Sequence, residues 1–386
     1  MGNVRVRTGN HFQMGNWACA EGALAAGCDF AAGYPITPAS EVANYLARRL
    51  PEADGVFLQT EDEISACCAA VGAAWAGRRA MTVTSGPGIS LMQETIGFAV
   101  ATETPLVIVD VQRFGPSTGV PSVGLTADMT QVAFGSHGDY QIIALAPDTP
   151  QAMFDVMIRA FDLAERYRVP VFVMADGFLG HMRERISIPQ PESVRVGTRR
   201  IATPAATVLE RNDFLDVNVA PMPVFGRGLK AHVTSSCHDA HGMRNLTDPA
   251  VMHNYVVTPI EKILSHRDDI VQVEERRTAD AELVLVAYGT VSRCAAAALD
   301  MARAEGLPVG LLRLVTCWPL PDRELAEAAA RAAHLLVLEN NRGQMFPYIK
   351  AACGADAGKV RFMGPANLGQ IQEPEAILNV IREILS

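Results

Sequence analysis

From residue 17 to residue 174 the chain alternates short runs dense in Val, Ile, Phe and Met with Ala-rich stretches of helical length, and this restricts its fold more than any other feature. Strands are expected over 30–34, 56–60, 80–84, 106–111 and 169–174. Helices are expected over 17–26, 39–50, 61–75, 90–102 and 151–166. The run 106–111, Leu-Val-Ile-Val-Asp-Val, is too apolar for a strand with one wet face, so both its faces need cover. Repeated βα units with such strands predict a parallel sheet flanked by helices.

Beyond residue 186 the alternation fades. Pro189, Pro191, Pro204, Pro221 and Pro223 break it up and mark a linker with some irregular packed structure. A second α/β series follows, with strands at 283–288, 309–312 and 335–339 and helices at 291–305, 321–333, 345–353 and 374–385. The expected organisation is a first domain over 1–190, an irregular region over 191–277 and a smaller α/β domain over 278–386. A chain of 386 residues is long enough for two or three cores.

Charge and cysteine usage exclude several classes. The formal net charge is −9, and the paired arginines at 48–49, 78–79, 199–200 and 276–277 are isolated, so no nucleic-acid partner is expected. No apolar string approaches the ~20 residues of a membrane helix, and the opening MGNVRVRTGN lacks the pattern of a signal peptide. A cytoplasmic protein is expected. The eight cysteines are scattered without any Cys-x-x-Cys, which suits reduced core residues and leaves no ligand set for an iron–sulfur cluster.

Candidate chemistry collects at strand-to-helix junctions, where ligands gather in open α/β sheets. Gln59-Thr60-Glu61-Asp62-Glu63 places acids at a helix start, as helix-dipole stabilisation alone would ask; a carboxylate there among small apolar residues would also hold a proton more tightly. In Gly33-Tyr34-Pro35-Ile36-Thr37-Pro38, Thr37 is expected as an N-cap with Pro38 at the first helical position. Ser85-Gly86-Pro87-Gly88 permits close backbone approach to a ligand and equally serves a tight turn. Arg113, expected directly after the apolar strand and before Gly115-Pro116-Ser117-Thr118-Gly119, suits bidentate capture of a small carboxylate or pairing with a neighbouring acid. His137 and Asp139 sit in another loop, where a structural His and a proton carrier are equally consistent.

The order and spacing of these stretches resemble the alpha subunits of the 2-oxoacid:ferredoxin oxidoreductases. The resemblance lies in AGYPITPASE (32–41), QTEDEISACCAAVGAAWAG (59–77), TSGPGISLMQE (84–94), TPLVIVDVQRFGPSTG (104–119), GSHGDYQ (135–141) and RVPVFVMADGF (168–178). It implies a thiamine-enzyme pyrimidine-binding domain followed by a transketolase C-terminal-like domain. It also implies oxidative decarboxylation of a 2-oxoacid with coenzyme A, with electrons passed to ferredoxin. In thiamine enzymes a Glu bonds the aminopyrimidine ring and promotes its imino tautomer. The family spacing places that Glu nine residues before a helix Gly, which Glu63 and Gly72 satisfy; Glu61, two residues out of register, stays the second candidate. The same resemblance implies Pro35, Thr37, Ser85 and Gly86 near the cofactor, Thr37 and Arg113 at the substrate, and Ser117 and Thr118 towards its distal end.

The chain lacks the Gly-Asp-Gly and following Asn that hold Mg²⁺ against the cofactor diphosphate; Ala175-Asp176-Gly177 comes nearest, and Asn340-Asn341 is far downstream. Thiamine diphosphate is therefore expected to be shared with a beta subunit carrying Mg²⁺ and [4Fe-4S], with small ferredoxin-like subunits a further option and no metal in this chain. The stretch 339–345 is expected as an inter-subunit or interdomain feature, and 67–76 as a face towards the partner. GYPITPASE, TEDEISA and VQRFGPSTG resemble the 2-oxoglutarate branch more than the pyruvate branch. Pyruvate and branched-chain 2-oxoacids stay open, as do a non-catalytic scaffold and a non-oxidative two-chain decarboxylase.

Overall fold

The computed structural model describes residues 6–205 and 207–386. Its larger sheet is eight-stranded, in the order Thr316–Trp318, Ile143–Leu145, Pro170–Asp176, Leu106–Phe114, Ala80–Thr84, Phe30–Gly33, Val56–Gln59, with Val120–Gly124 paired to the end of Leu106–Phe114. All neighbours are parallel except Thr316–Trp318 and Val120–Gly124, which run antiparallel. Along the central strand, Val107, Val109 and Val111 enter the core under helices Gly15–Ala25, Ser40–Glu52 and Pro150–Tyr167. Leu106 and Ile108 enter the opposite core, under Glu63–Trp75 and Gly86–Ala101. Burial of each such side chain contributes about 1.5–3 kcal/mol, so the doubly covered strand anchors both layers. Helix Gly15–Ala25 approaches Pro150–Tyr167 closely, since a Cβ at Gly22 would stand 2.5 Å from the Phe154 carbonyl oxygen.

The smaller sheet is five-stranded, in the order Val273–Arg276, Val309–Leu314, Leu283–Ala287, His334–Leu338, Val360–Met363, parallel except at Val273–Arg276. One face packs on helices Val291–Ala304 and Pro374–Leu385. The other, carrying Val284, Val286 and Val337, shares a continuous core with Ile89 and Met92 of the first sheet's helix layer.

Three expectations need correction. The central strand runs on to Phe114, so Arg113 lies in the strand rather than in the loop after it. Residues 191–277 are not wholly irregular: they hold helix Pro249–Leu264, hidden from the pattern by Pro259 in its interior, and strand Val273–Arg276 of the second sheet. Strand Thr316–Trp318, three residues long, leaves the second block to extend the first sheet.

Helix Pro249–Leu264 is fixed by buried charge. Lys262 Nζ lies 2.6 Å from Glu103 Oε2, and Glu103 Oε1 accepts from the Leu215 N–H at 2.7 Å. Arg168, equally buried, donates to the carbonyls of Asp213 and Ala220. Burial alone would raise the Glu103 pKa, but Lys262 and Arg168 together hold it below the ordinary value. Replacing Lys262→Met strands a buried carboxylate and should cost about 3–5 kcal/mol in urea unfolding near neutral pH. Because the folded Glu103 pKa is depressed, the stabilisation is present above the unfolded value and is lost as pH falls through the folded one. The gap between wild type and variant should therefore narrow in acid.

Candidate functional site

Helix Glu63–Trp75 begins where Asp62 Oδ1 accepts the Ser65 N–H at 2.7 Å, a side-chain N-cap that fixes its entry. The next side chain, Glu63, turns inward and is 5% exposed, while Glu61 is exposed. Opposite it lies the first turn of helix Gly86–Ala101. A Cβ at Gly88 would overlap Thr84 Oγ1 and stand 2.5 Å from Glu63 Cγ, so the missing side chain is what makes room for the acid. Burial raises the Glu63 pKa above the ordinary value and Asp62 adds to this, against its own backbone N–H and Arg113. At the N-cap of helix Gly86–Ala101 the Ser85 hydroxyl is buried without a hydrogen-bond partner among the described residues.

Arg113 is 6% exposed, and its Nη1 donates to the Thr37 carbonyl at 2.7 Å. Thr37 is therefore not the expected N-cap. Residues 36–39 form a turn closed by the Ala39 N–H on the Ile36 carbonyl, and the helix starts at Ser40. Burial disfavours the guanidinium charge, while Asp128 and Glu63 favour it. Arg113 lines a cavity of about 500 Å³ together with Gly86, Ser90, Ser117, Asp128 and Arg342. Pro35, Thr37 and Thr118 are exposed and lie outside that lining. His137 and Asp139 line a separate cavity of about 300 Å³ with Tyr140 and Tyr255.

Asp110 and Asp128 escaped the sequence reading. Asp110 shares a strand face with Leu106 and Ile108 and is fully buried; Asp128 is 8% exposed. Burial and the mutual proximity of the two acids raise the Asp110 pKa well above the ordinary value, and burial raises that of Asp128, with Arg113 opposing. The available signal was an acid in a run otherwise built for a strand with both faces covered.

The second α/β block forms one wall. Asn341 Nδ2 donates to the Thr126 carbonyl at 2.8 Å and to the Tyr288 hydroxyl at 3.1 Å, and Gln344 Nε2 donates to the Ala127 carbonyl. The stretch 339–345 thus links the two α/β blocks and holds the segment leading into Asp128. Asp176, of the near-miss Ala175-Asp176-Gly177, is fully engaged by the N–H groups of Phe178 and Leu179 and by Thr290 Oγ1 at 2.6 Å. Among the described residues no group of three or more His, Cys, Asp or Glu is placed to hold a metal ion, and no helix is long and apolar enough to cross a membrane.

Two family models match: pyruvate flavodoxin/ferredoxin oxidoreductase, thiamine diphosphate-binding, over residues 21–256, and pyruvate:ferredoxin oxidoreductase core domain II over 281–374. The chain is 48% identical to the 2-oxoglutarate synthase subunit KorA of Methanothermobacter thermautotrophicus, over 97% of this chain and 98% of that one. It is 40% identical to the ketoisovalerate oxidoreductase subunit VorB of Methanothermobacter marburgensis, over 96% of each. A solved structure of the 2-oxoglutarate:ferredoxin oxidoreductase from Magnetococcus marinus, with 2-oxoglutarate, coenzyme A and succinyl-CoA bound, matches with a TM-score of 0.92 at 31% identity. The match covers 98% of this chain and 66% of that longer one.

The tight fit at Glu63 is testable without any ligand. Gly88→Ala should destabilise the chain by about 1–3 kcal/mol through overpacking. Gly72→Ala, whose Cβ meets nothing within 4 Å, should be neutral or stabilise by about 0.5–1 kcal/mol. Equal effects in thermal unfolding would contradict the packing described.

Proposed function

This chain belongs to the alpha subunits of the 2-oxoacid:ferredoxin oxidoreductases, and we propose that with a beta subunit it oxidatively decarboxylates 2-oxoglutarate to succinyl-CoA and CO₂ in the cytoplasm, passing electrons to ferredoxin. The observation that carries the reading is the inward carboxyl of Glu63, held against Gly88 at a helix start and facing the same buried cation, Arg113. Its burial supports Glu63 over Glu61 as the activating acid. The 48% identity to a 2-oxoglutarate synthase subunit supports that substrate over pyruvate or a branched-chain 2-oxoacid.

Thiamine diphosphate, when bound, supplies the carbon nucleophile and electron sink for loss of CO₂. Glu63, with its raised proton affinity, holds a proton at the ring nitrogen of the aminopyrimidine. The unpartnered Ser85 hydroxyl and the backbone at Gly86 fit the approach of that ring, with Pro35 and Thr37 at its exposed side. Arg113 fixes the substrate carboxylate, its orientation preset by the Thr37 carbonyl. Ser117, on the cavity wall, and Thr118, on the exposed loop beyond it, face the distal end of the substrate.

Mg²⁺, the diphosphate grip and [4Fe-4S] belong to the beta subunit in this reading, because the carboxylate of Asp176 is already committed to a helix cap and to Thr290. The face expected towards the partner is narrower than 67–76: Cys67, Ala70 and Ala74 are buried in this chain's own core. What remains outward is the i, i+4 stripe Ile64, Cys68, Gly72 and Ala76, small enough after Ile64 for close approach.

Glu63→Gln should leave the complex assembled while lowering turnover by about 10²–10⁴-fold, measured as 2-oxoglutarate- and coenzyme A-dependent viologen reduction. Retention of full activity would assign the acid elsewhere. Arg113→Ala should raise KM by roughly 10–100-fold, the loss expected for hydrogen bonds to a charged group. Faster reduction with pyruvate or 2-oxoisovalerate than with 2-oxoglutarate in the wild-type complex would overturn the substrate assignment.

A further inference from the structure

Asp110 and Asp128 form an arrangement that ordinary packing does not explain. Asp110 lies on the central strand opposite Thr84 and Met174 of its neighbours, and both its carboxylate oxygens are buried without a donor among the described residues. Asp128 Oδ2 is likewise buried and without a donor. The backbone N–H of Asp128 is held at 3.0 Å by Gln112 Oε1, whose own Nε2 is tied to the Ala175 carbonyl at 3.0 Å. The segment is thereby fixed, and its acid lies within hydrogen-bond reach of the Asp110 carboxyl. Ionised carboxylates only accept hydrogen bonds, so two that face each other with no N–H or O–H between them are satisfied only by a shared proton.

The charged surroundings are few. Arg113 is the cation that acts on Asp128, and Glu63 acts on the same Arg113 from the start of its helix. Arg342 also lines the cavity. Helix Gly86–Ala101 brings no charged side chain in its first turn, only Gly86, where a Cβ would stand 3.1 Å from Asp128 Oδ2. The adjoining strand Pro170–Asp176 brings Asp176, already fully hydrogen-bonded.

We propose that Asp110 and Asp128 are a proton-sharing carboxyl pair that serves as the resident counter-ion of Arg113, and that the pair takes up a second proton when a substrate carboxylate docks on Arg113. With one shared proton the pair carries a single negative charge, which offsets the guanidinium. A docked carboxylate claims that guanidinium and leaves the charge of the pair uncompensated in a buried site. Such a charge is costly, and a proton from solvent on Asp128 removes it with no other bond made or broken. The two acids are positioning residues, acting on substrate through Arg113. The inference rests on the reading of Arg113 as the substrate carboxylate site, and it deepens that reading by making substrate affinity depend on proton uptake.

The test uses the assembled enzyme with thiamine diphosphate and N-oxalylglycine, an amide isostere of 2-oxoglutarate that keeps both carboxylates and does not decarboxylate. Calorimetric titration in buffers of different ionisation heat counts the protons taken up. Wild type should take up as much as one proton, with affinity falling by up to about tenfold per pH unit between about pH 6 and about pH 8. Asp128→Asn should abolish both effects, and Asp110→Leu, which removes the hydrogen bond from Asp110 that lowers the Asp128 pKa, should move the uptake to higher pH. Uptake that persists in Asp128→Asn, or wild-type binding with no uptake, overturns the pair's role. Absence of binding, or equal affinity in Arg113→Ala, overturns instead the substrate reading beneath it. Should Asp128→Asn fail to fold, infrared difference spectra of the wild type decide: binding must add a protonated-carboxyl band, and its absence refutes the proposal.

Discussion

Everything at this site depends on a strand that stays buried after it stops being apolar. Leu106–Phe114 is covered on both faces as far as Arg113, so its polar residues cannot turn to water for partners. Each must find one in protein. Gln112 takes the Ala175 carbonyl and the Asp128 N–H, and Arg113 takes the Thr37 carbonyl. Among the described residues Asp110 has only another acid. A buried polar group without a partner costs on the order of 1–3 kcal/mol, and an unpaired charge costs more. The polar end of the strand is therefore where this fold invests stability in chemistry.

The second α/β block follows from the same constraint. The loop after Val120–Gly124 has to deliver Asp128 to a fixed place, yet it carries little regular structure of its own. Asn341 and Gln344 supply the missing rigidity by holding the carbonyls of Thr126 and Ala127. Glu339 in turn is fixed by the Tyr288 hydroxyl and by the N–H groups of Met345 and Phe346. With Thr290 bonded to Asp176 and Thr316–Trp318 lying in the first sheet, the two blocks share the work of one site.

The sequence made the architecture legible wherever local pattern and tertiary need coincide. The strand Ala80–Thr84 and the helix Pro374–Leu385 fall where the periodicity put them. It misled where distant groups decide: Thr37 has the chemistry of an N-cap, but its carbonyl is bound by an arginine 76 positions away. Thr316–Trp318 is too short to signal a strand and exists only because Ile143–Leu145 offers an edge. At the candidate site the sequence singled out Glu63 and Arg113 by residue type and position, and both are buried. The pairing of Asp110 with Asp128 did not stand out, because proximity across an intervening loop leaves no periodic trace.

The same physics bears on the outward face of helix Glu63–Trp75. Burial raises the proton affinity of Glu63, while its helix presents Ile64, Cys68, Gly72 and Ala76 outward. Within this chain Gly88 and Thr84 close over the acid, which is left 5% exposed. A partner laid on that stripe would complete the apolar shell and raise the proton affinity of Glu63 further. Assembly would then strengthen a proton affinity that burial within this chain has already raised.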